Sequence, residues 1–444
     1  MPKTWLDAVR LRICGPMGLS FVLITAIPLS AGIPLSAGIP HSPSTVEAPK
    51  IVIETIDTVR SWASPGWGYN APKIARNTRG EFWVVSFFGK YGGGERAQIL
   101  KRTTDGVWHR GAIFDSLYQP SMIFLDEQGR LNYIQNAQHS PIRHYRSTDA
   151  ENLNHFRLVA TGNGVEDGRG WYVGTALYGE TIFMAYVTLT YDLFLTWKGV
   201  SDTLWHPAIL LEAGEVDTSR GNHAWLYPRF NFFGKRGYIT ASSTVDGSKK
   251  NTYDKVCLVS FPLNNPMQFT KEVVYNGVPG YYSYCYDTII TPDSLIVCAM
   301  NAGRYRYGPK RDDMLPAGIY AAVRNVGQSS WSMYNVDDHD GGVALHRTPD
   351  GAIYAVITRG SWDAENQTVL KKSTDGGKTW TLVTDNVCAS RPDVHHQFFL
   401  QTMRAQRGSK GENTLYGMMT NHASATPVDG LYSFEMMFLS IQLP

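Results

Sequence analysis

The chain has 444 residues and 41 Lys+Arg against 39 Asp+Glu, a formal net charge of +2. That balance excludes general nucleic-acid binding through a basic surface, while the length admits either several domains or one large all-β repeat fold. Aromatic residues make up 12% of the chain, with 24 Tyr and 12 Trp; such rings fill β-sheet cores and make platforms for the apolar C–H faces of sugars.

The chain opens on a targeting pattern. Lys3, Arg10 and Arg12 precede an apolar run from Ile13 to Ile27, and a doubled Ile-Pro-Leu-Ser-Ala-Gly follows (Ile27–Gly32, Ile33–Gly38). This predicts a signal peptide with a short linker over residues 1–45, cut between Ala31 and Thr45, and a secreted or periplasmic product. Pro28 and Pro34 argue against an uncleaved anchor, Cys14 lacks the small residue a lipoprotein site needs, and no later segment is apolar for long enough to span a membrane.

From residue 46 onward one hairpin signature recurs: an apolar strand, a tight turn with Gly, Asp or Ser, then an apolar-aromatic strand. The turns lie at Asn77–Trp83, Asp126–Leu131, Tyr178–Phe183, Gly234–Ile239, Pro292–Ile296, Pro349–Tyr354 and Gly411–Tyr416. Their spacing is that of a four-stranded propeller blade and predicts a single domain over 46–444, an all-β, seven-bladed β-propeller of four-stranded antiparallel blades. A pair of β-sandwiches is the alternative, but it leaves the repeat unexplained. Within the sixth repeat, Ser373-x-Asp375-x-Gly377-x-Thr379-Trp380 matches the Asp-box of sialidase-like propellers. The physics of that turn is local: Asp accepts turn N–H groups, Gly takes positive φ, and Trp packs between sheets.

Four cysteines follow the leader: Cys257, Cys285, Cys298 and Cys388. Cys285 and Cys298 can face one another on a hairpin, as a disulfide or as two buried thiols.

In an antiparallel meander A-B-C-D, the A–B and C–D turns share one face. The starts of A strands and ends of B strands share the other. That second rim collects His139 after the second B strand, Trp171 and Tyr172, then His223, Tyr227 and Arg229 at the fourth A strand, with Lys249 and Lys250 in its B–C loop. It continues with Tyr281, Tyr282, Tyr284 and Tyr286, then Arg304, His339, Arg359, His395, His396 and His422. Carboxylates are scarce there, with Asp340 and Asp363 the candidates, so the paired carboxylates of a glycosidase are not evident. The inventory suits β-elimination of a uronide. A Tyr or His removes the proton beside the carboxylate, the bond to the 4-oxygen breaks, and a cation stabilises the dianionic intermediate.

The run Asn136-Ala-Gln-His139-Ser-Pro-Ile-Arg-His-Tyr-Arg-Ser147, the His223-x-x-x-Tyr227-Pro-Arg229 motif and the tyrosine-rich strand around Tyr284 resemble the BNR-repeat propeller polysaccharide lyases that include ulvan lyases. The resemblance implies that His139 and Tyr227 are the proton-transfer pair, with Tyr284 or Tyr286 lining the canyon. It also implies a neutralising arginine at the end of the fourth B strand. Residues 241–250 contain none, so Arg229, Lys249 or Arg304 takes that role, with His223 as a further substrate contact. Sialidases share the fold but need an early arginine motif where this chain has Tyr69-Asn-Ala-Pro-Lys73.

The expected partner is an acidic polysaccharide, bound by a monomer with no cofactor required for the chemistry. Cys388, His396 and His422 map to one rim of the last blade and are candidate ligands for a structural metal ion, Zn2+ or Ca2+. A hydrolase acting on a rhamnose–uronate linkage through one His, and a non-catalytic carbohydrate-binding propeller, are the alternative functions.

Overall fold

The computed structural model describes residues 48–444, except 67, 69, 91–93, 118–120, 137–140, 163–171, 189, 218–220, 224, 245–252, 280, 306–314, 361–365, 395–396, 403–411 and 423–426. The predicted leader therefore lies outside the described residues.

The described residues form strands and no helix; none of them belongs to a helix long and apolar enough to cross a membrane. Five antiparallel sheets have four strands each, ordered as they follow in the chain. One example runs Leu226–Phe233, Arg236–Ser243, Lys255–Pro262 and Thr270–Asn276. Five of the seven hairpins predicted from the sequence join the first two strands of such a set, as between Val173–Tyr178 and Thr181–Val187 or between Gly341–Arg347 and Ile353–Arg359.

Burial explains the composition of each set. The second strand is mostly apolar and buried on both faces, as in Ile182–Val187 of the strand Thr181–Val187. The fourth is half exposed, as in Thr270–Asn276, and alternates accordingly. Apolar clusters fill the spaces between consecutive sheets. Phe183, Ala185 and Leu195 meet Phe230, Ile239 and Val259, and Val297, Ala321 and Val323 meet Val343, Ile353 and Ile357.

The chain ends meet in an eight-stranded sheet. Lys50–Ser61 runs antiparallel to Tyr432–Gln442 from Lys50↔Gln442 to Ser61↔Tyr432, and touches Phe82–Lys90 at Ser61↔Gly89. Phe82, Val84 and Leu100 then pack on Met418, Met436 and Phe438, joining the first sheet to the last.

The Asp375 turn closes as its residues demand. Ser373 Oγ donates to Asp375 Oδ1 at 2.8 Å, the amides of Lys378 and Thr379 donate to the same oxygen at 3.1 and 2.9 Å, and Thr379 Oγ1 donates to Oδ2 at 2.6 Å. Gly376 and Gly377 take φ of +75° and +88°, and Trp380 donates its indole N–H to Gly377 O and packs on the core between the sheet of Leu295–Ala302 and its own. Burial raises the Asp375 carboxyl, but the hydrogen bonds from Thr379, Ser373 and Lys378 outweigh it and hold the group at about 2. That is below the ~4 of an unfolded aspartate, so the turn's contribution is complete above about pH 4 and fades as pH falls towards 2. Asp375→Ala is expected to lower the unfolding free energy by about 1 kcal/mol at neutral pH, the worth of a capping side chain. Chemical denaturation of both proteins should show the difference closing between pH 4 and pH 2.

Cys257, Cys285, Cys298 and Cys388 are free and buried. The melting temperature is expected to be the same with and without a reductant; a drop on reduction would mean a disulfide in solution.

Candidate functional site

Tyr227 is the centre of the candidate site, and its backbone is its first distinction. The strand Leu226–Phe233 pairs with its neighbour as Leu226↔Ser242 and then Arg229↔Thr240, with the register shifting in between. Tyr227 and Pro228 therefore form a bulge, where proline's missing N–H breaks no ladder bond. Tyr227 has φ of +54°, a left-handed conformation that is an outlier for a bulky residue and that a following proline further disfavours. The bulge is wedged in place: a Cβ on Gly174 of the preceding sheet would lie 2.0 Å from Pro228 O, so only glycine admits this approach.

The bulge turns the Tyr227 ring into a cluster of tyrosines. Its centroid lies 4.3 Å from that of Tyr172 and 6.2 Å from that of Tyr284. Tyr284 in turn stacks on Tyr282 at 5.2 Å and meets Tyr253 at 5.3 Å and Tyr286 at 6.1 Å. Tyr227, Tyr284 and Tyr286 are half-buried, so the cluster carries phenols at the protein surface. The structure brings Tyr227 and Tyr284 together as the sequence predicts.

Arg229 is placed differently from an open substrate contact. It is 7% exposed, 3.4 Å from the fully buried Asp287, and donates to the backbone carbonyl of Tyr286. Asp287 also accepts the amides of Thr288 and Leu345 at 2.6 and 2.8 Å. The pair ties the Tyr227 strand to the tyrosine-bearing strand beside it and to the sheet beyond. On an unbroken strand Arg229 would share the side of Tyr227; the bulge between Leu226 and Arg229 breaks that alternation, and the guanidinium packs against the neighbouring sheet.

The rim continues from Tyr284 into the next sheet. Asn301 Oδ1 accepts the Tyr284 amide at 2.7 Å, and Asn301 Nδ2 donates to Asp340 Oδ1 at 3.1 Å. Next to Asp340 lies a charged constellation that sequence reasoning found only in part. Asp337, fully buried, accepts Arg359 Nη2 at 2.6 Å and Lys371 Nζ at 2.9 Å, and lies 2.9 Å from His339 Nδ1. Burial raises the Asp337 carboxyl, yet the bonds from Arg359, Lys371 and the His339 amide hold it well below the ordinary carboxylate range. The imidazole is oriented through Nδ1 while its side chain is 61% exposed, an arrangement that presents Nε2 outward. His339 and Arg359 were legible as rim residues; Asp337 and Lys371 were not, because only the packing of two sheets brings them together.

Lys73 sits where a sialidase would carry its early arginine. It is 1% exposed, Nζ lies 3.4 Å from Gly68 O, and burial pulls the ammonium well below its ordinary range.

His139, Lys249 and His396 lie outside the described residues. His223 and Arg304 lie in short antiparallel ladders, paired as Glu215↔His223 and Tyr282↔Arg304, which set their backbone positions. Cys388 is buried among Val356, Leu370, Met419 and Leu439, and burial pushes its thiol up to about 12, which opposes the thiolate a zinc site needs. His422 stacks on Phe434 at 4.9 Å. Among the described residues no three His, Cys, Asp or Glu groups converge as metal ligands.

No family model and no curated protein sequence matches this chain. Solved structures do. A structure of a new family of polysaccharide lyase, the PL25 ulvan lyase, superposes with a TM-score of 0.61 at 11% identity, over 86% of this chain and 95% of the other. The same lyase bound to a -[GlcA(1-4)Rha3S]- saccharide gives 0.59 at 11% identity, over 85% and 95%. At such identity the likeness is one of fold, and the all-β architecture is that of a propeller.

Proposed function

We propose that this chain is a secreted polysaccharide lyase that cleaves a uronate-containing polymer of the ulvan type by β-elimination, on a seven-bladed propeller of BNR-repeat kind. The blade count has support in the sheets. Five have four strands, and the eight-stranded sheet divides at its single Ser61↔Gly89 contact into two more sets of four. Seven apolar clusters separate successive sets.

The observation that carries the reading is Tyr227: a bulky residue held at positive φ by a bulge, among phenols, on a rim with oriented basic groups. Outliers of this kind cluster where strain serves function. In the proposed reaction the base takes the proton on the carbon next to the uronate carboxylate. The electron pair forms the ring double bond, the bond to the 4-oxygen breaks, and that oxygen receives a proton. Tyr227 and His139 share the two proton transfers, Tyr284 lines the sugar site, and His223 contacts the chain. Lys249 or Arg304 neutralises the carboxylate, since Arg229 is engaged with Asp287 and Arg359 with Asp337. Cys388, His396 and His422 are proposed at most as a structural metal site.

The test is incubation with a panel of acidic polysaccharides, each with and without a chelator. Elimination gives new ultraviolet absorbance from the unsaturated uronate; reducing ends without that absorbance mean hydrolysis, and neither means a binding protein. Insensitivity to the chelator is expected.

A further inference from the structure

A concavity opens beside the Tyr227 strand. It has a volume of about 500 Å³, between the end of Ile209–Glu212 and the sheet of Leu226–Phe233, and is lined by Glu212, Trp225, Ser243, Lys255, Lys271 and Glu272, among others. The volume is that of a small-ligand site. Trp225 lies two residues before Tyr227 and Ser243 closes the strand paired to it, so the cleft adjoins the candidate centre. Its charges are only partly matched. Lys271 pairs with Glu212, and Glu272 pairs with Arg324, while among the described residues Lys255 takes part in no salt bridge. The four charged residues of the lining balance, but Glu272 is held by Arg324 from outside it, which leaves Lys255 as the cation of the cleft that has no ion-pair partner among the described residues. Its wall is apolar where Trp225, 3% exposed, lies 5.9 Å from the Lys271 ammonium.

We propose that this cleft is an accessory subsite taking one acidic sugar unit, its anionic group on Lys255 and its ring against the edge of Trp225. The unit is an outlying residue of the polymer whose reacting residue lies at Tyr227; only that order of subsites rests on the lyase reading. A carboxylate and a sulfate present the same oxyanion chemistry, and charge-assisted bonds from one ammonium serve either.

Calorimetric titration of the full chain separates the cases. The Tyr227→Phe protein, which prevents turnover, is titrated with polyglucuronate, with carrageenan and with neutral dextran. Adding Lys255→Gln is expected to weaken the acidic polymer that binds by about tenfold, the worth of one charge-assisted bond. Ala213→Trp, which fills the cleft and leaves its ion pairs intact, is expected to do the same. Loss with polyglucuronate alone identifies a carboxylate, and loss with carrageenan alone a sulfate. Unchanged affinity for both acidic polymers in both variants, with melting temperatures confirming folded protein, overturns the subsite. If the variants weaken binding and no polymer yields unsaturated product, the subsite stands and the elimination reading fails. If elimination proceeds and the variants bind as the parent does, the reverse holds.

Discussion

Tyr227→Phe is expected to lower turnover of a uronate polymer by about 10²–10⁴-fold, the contribution of one positioned proton-transfer group. The substitution deletes one oxygen and keeps the ring that packs on Tyr172 and Tyr284. The melting curve should therefore stay within about 1 kcal/mol of the parent, as for a surface change. Loss of activity with retained stability separates a chemical role from a packing role. Steady-state rates and thermal unfolding on one preparation provide the check. A Phe variant with parental turnover removes Tyr227 from the chemistry.

The second large effect concerns the support beneath that tyrosine. Asp287→Ala removes the buried carboxylate beside the Arg229 guanidinium and the acceptor of the Thr288 and Leu345 amides. Breaking one side of a buried pair costs about 3–5 kcal/mol, so the midpoint of denaturant unfolding should fall sharply. Removing the guanidinium as well, in an Asp287→Ala/Arg229→Met protein, is expected to recover part of the loss, because the uncompensated charge is gone. Additive losses in that cycle would mean that the two groups are not coupled.

Much of the architecture could be read from local chemistry. Each hairpin turn carries its own Gly, Asp or Ser, and the Asp375 turn needs no distant partner to close, so these features survive in the sequence as short patterns. The closure of Lys50–Ser61 on Tyr432–Gln442 leaves no such trace, since it joins the two ends of the domain by backbone bonds that any strand can make. The site divides in the same way. Tyr227 and Tyr284 were found because the meander places strand starts on one rim. The conformation of Tyr227 was not, because a residue before proline is ordinarily extended and only the wedge of Pro228 against Gly174 explains the exception. Arg229 read as a rim cation until the neighbouring sheet placed Asp287 against it. Asp337, Arg359 and Lys371 meet from two different sheets, which no spacing along one strand foretells.

The mass of the first products formed from a defined uronate-containing oligosaccharide bears on elimination most directly. Bond cleavage by proton abstraction adds no water, so the two fragments together should weigh what the substrate weighed, and the one with the new non-reducing end should carry the double bond. Fragments that together gain one water, with no unsaturated sugar, would contradict the account and assign the chain to hydrolysis.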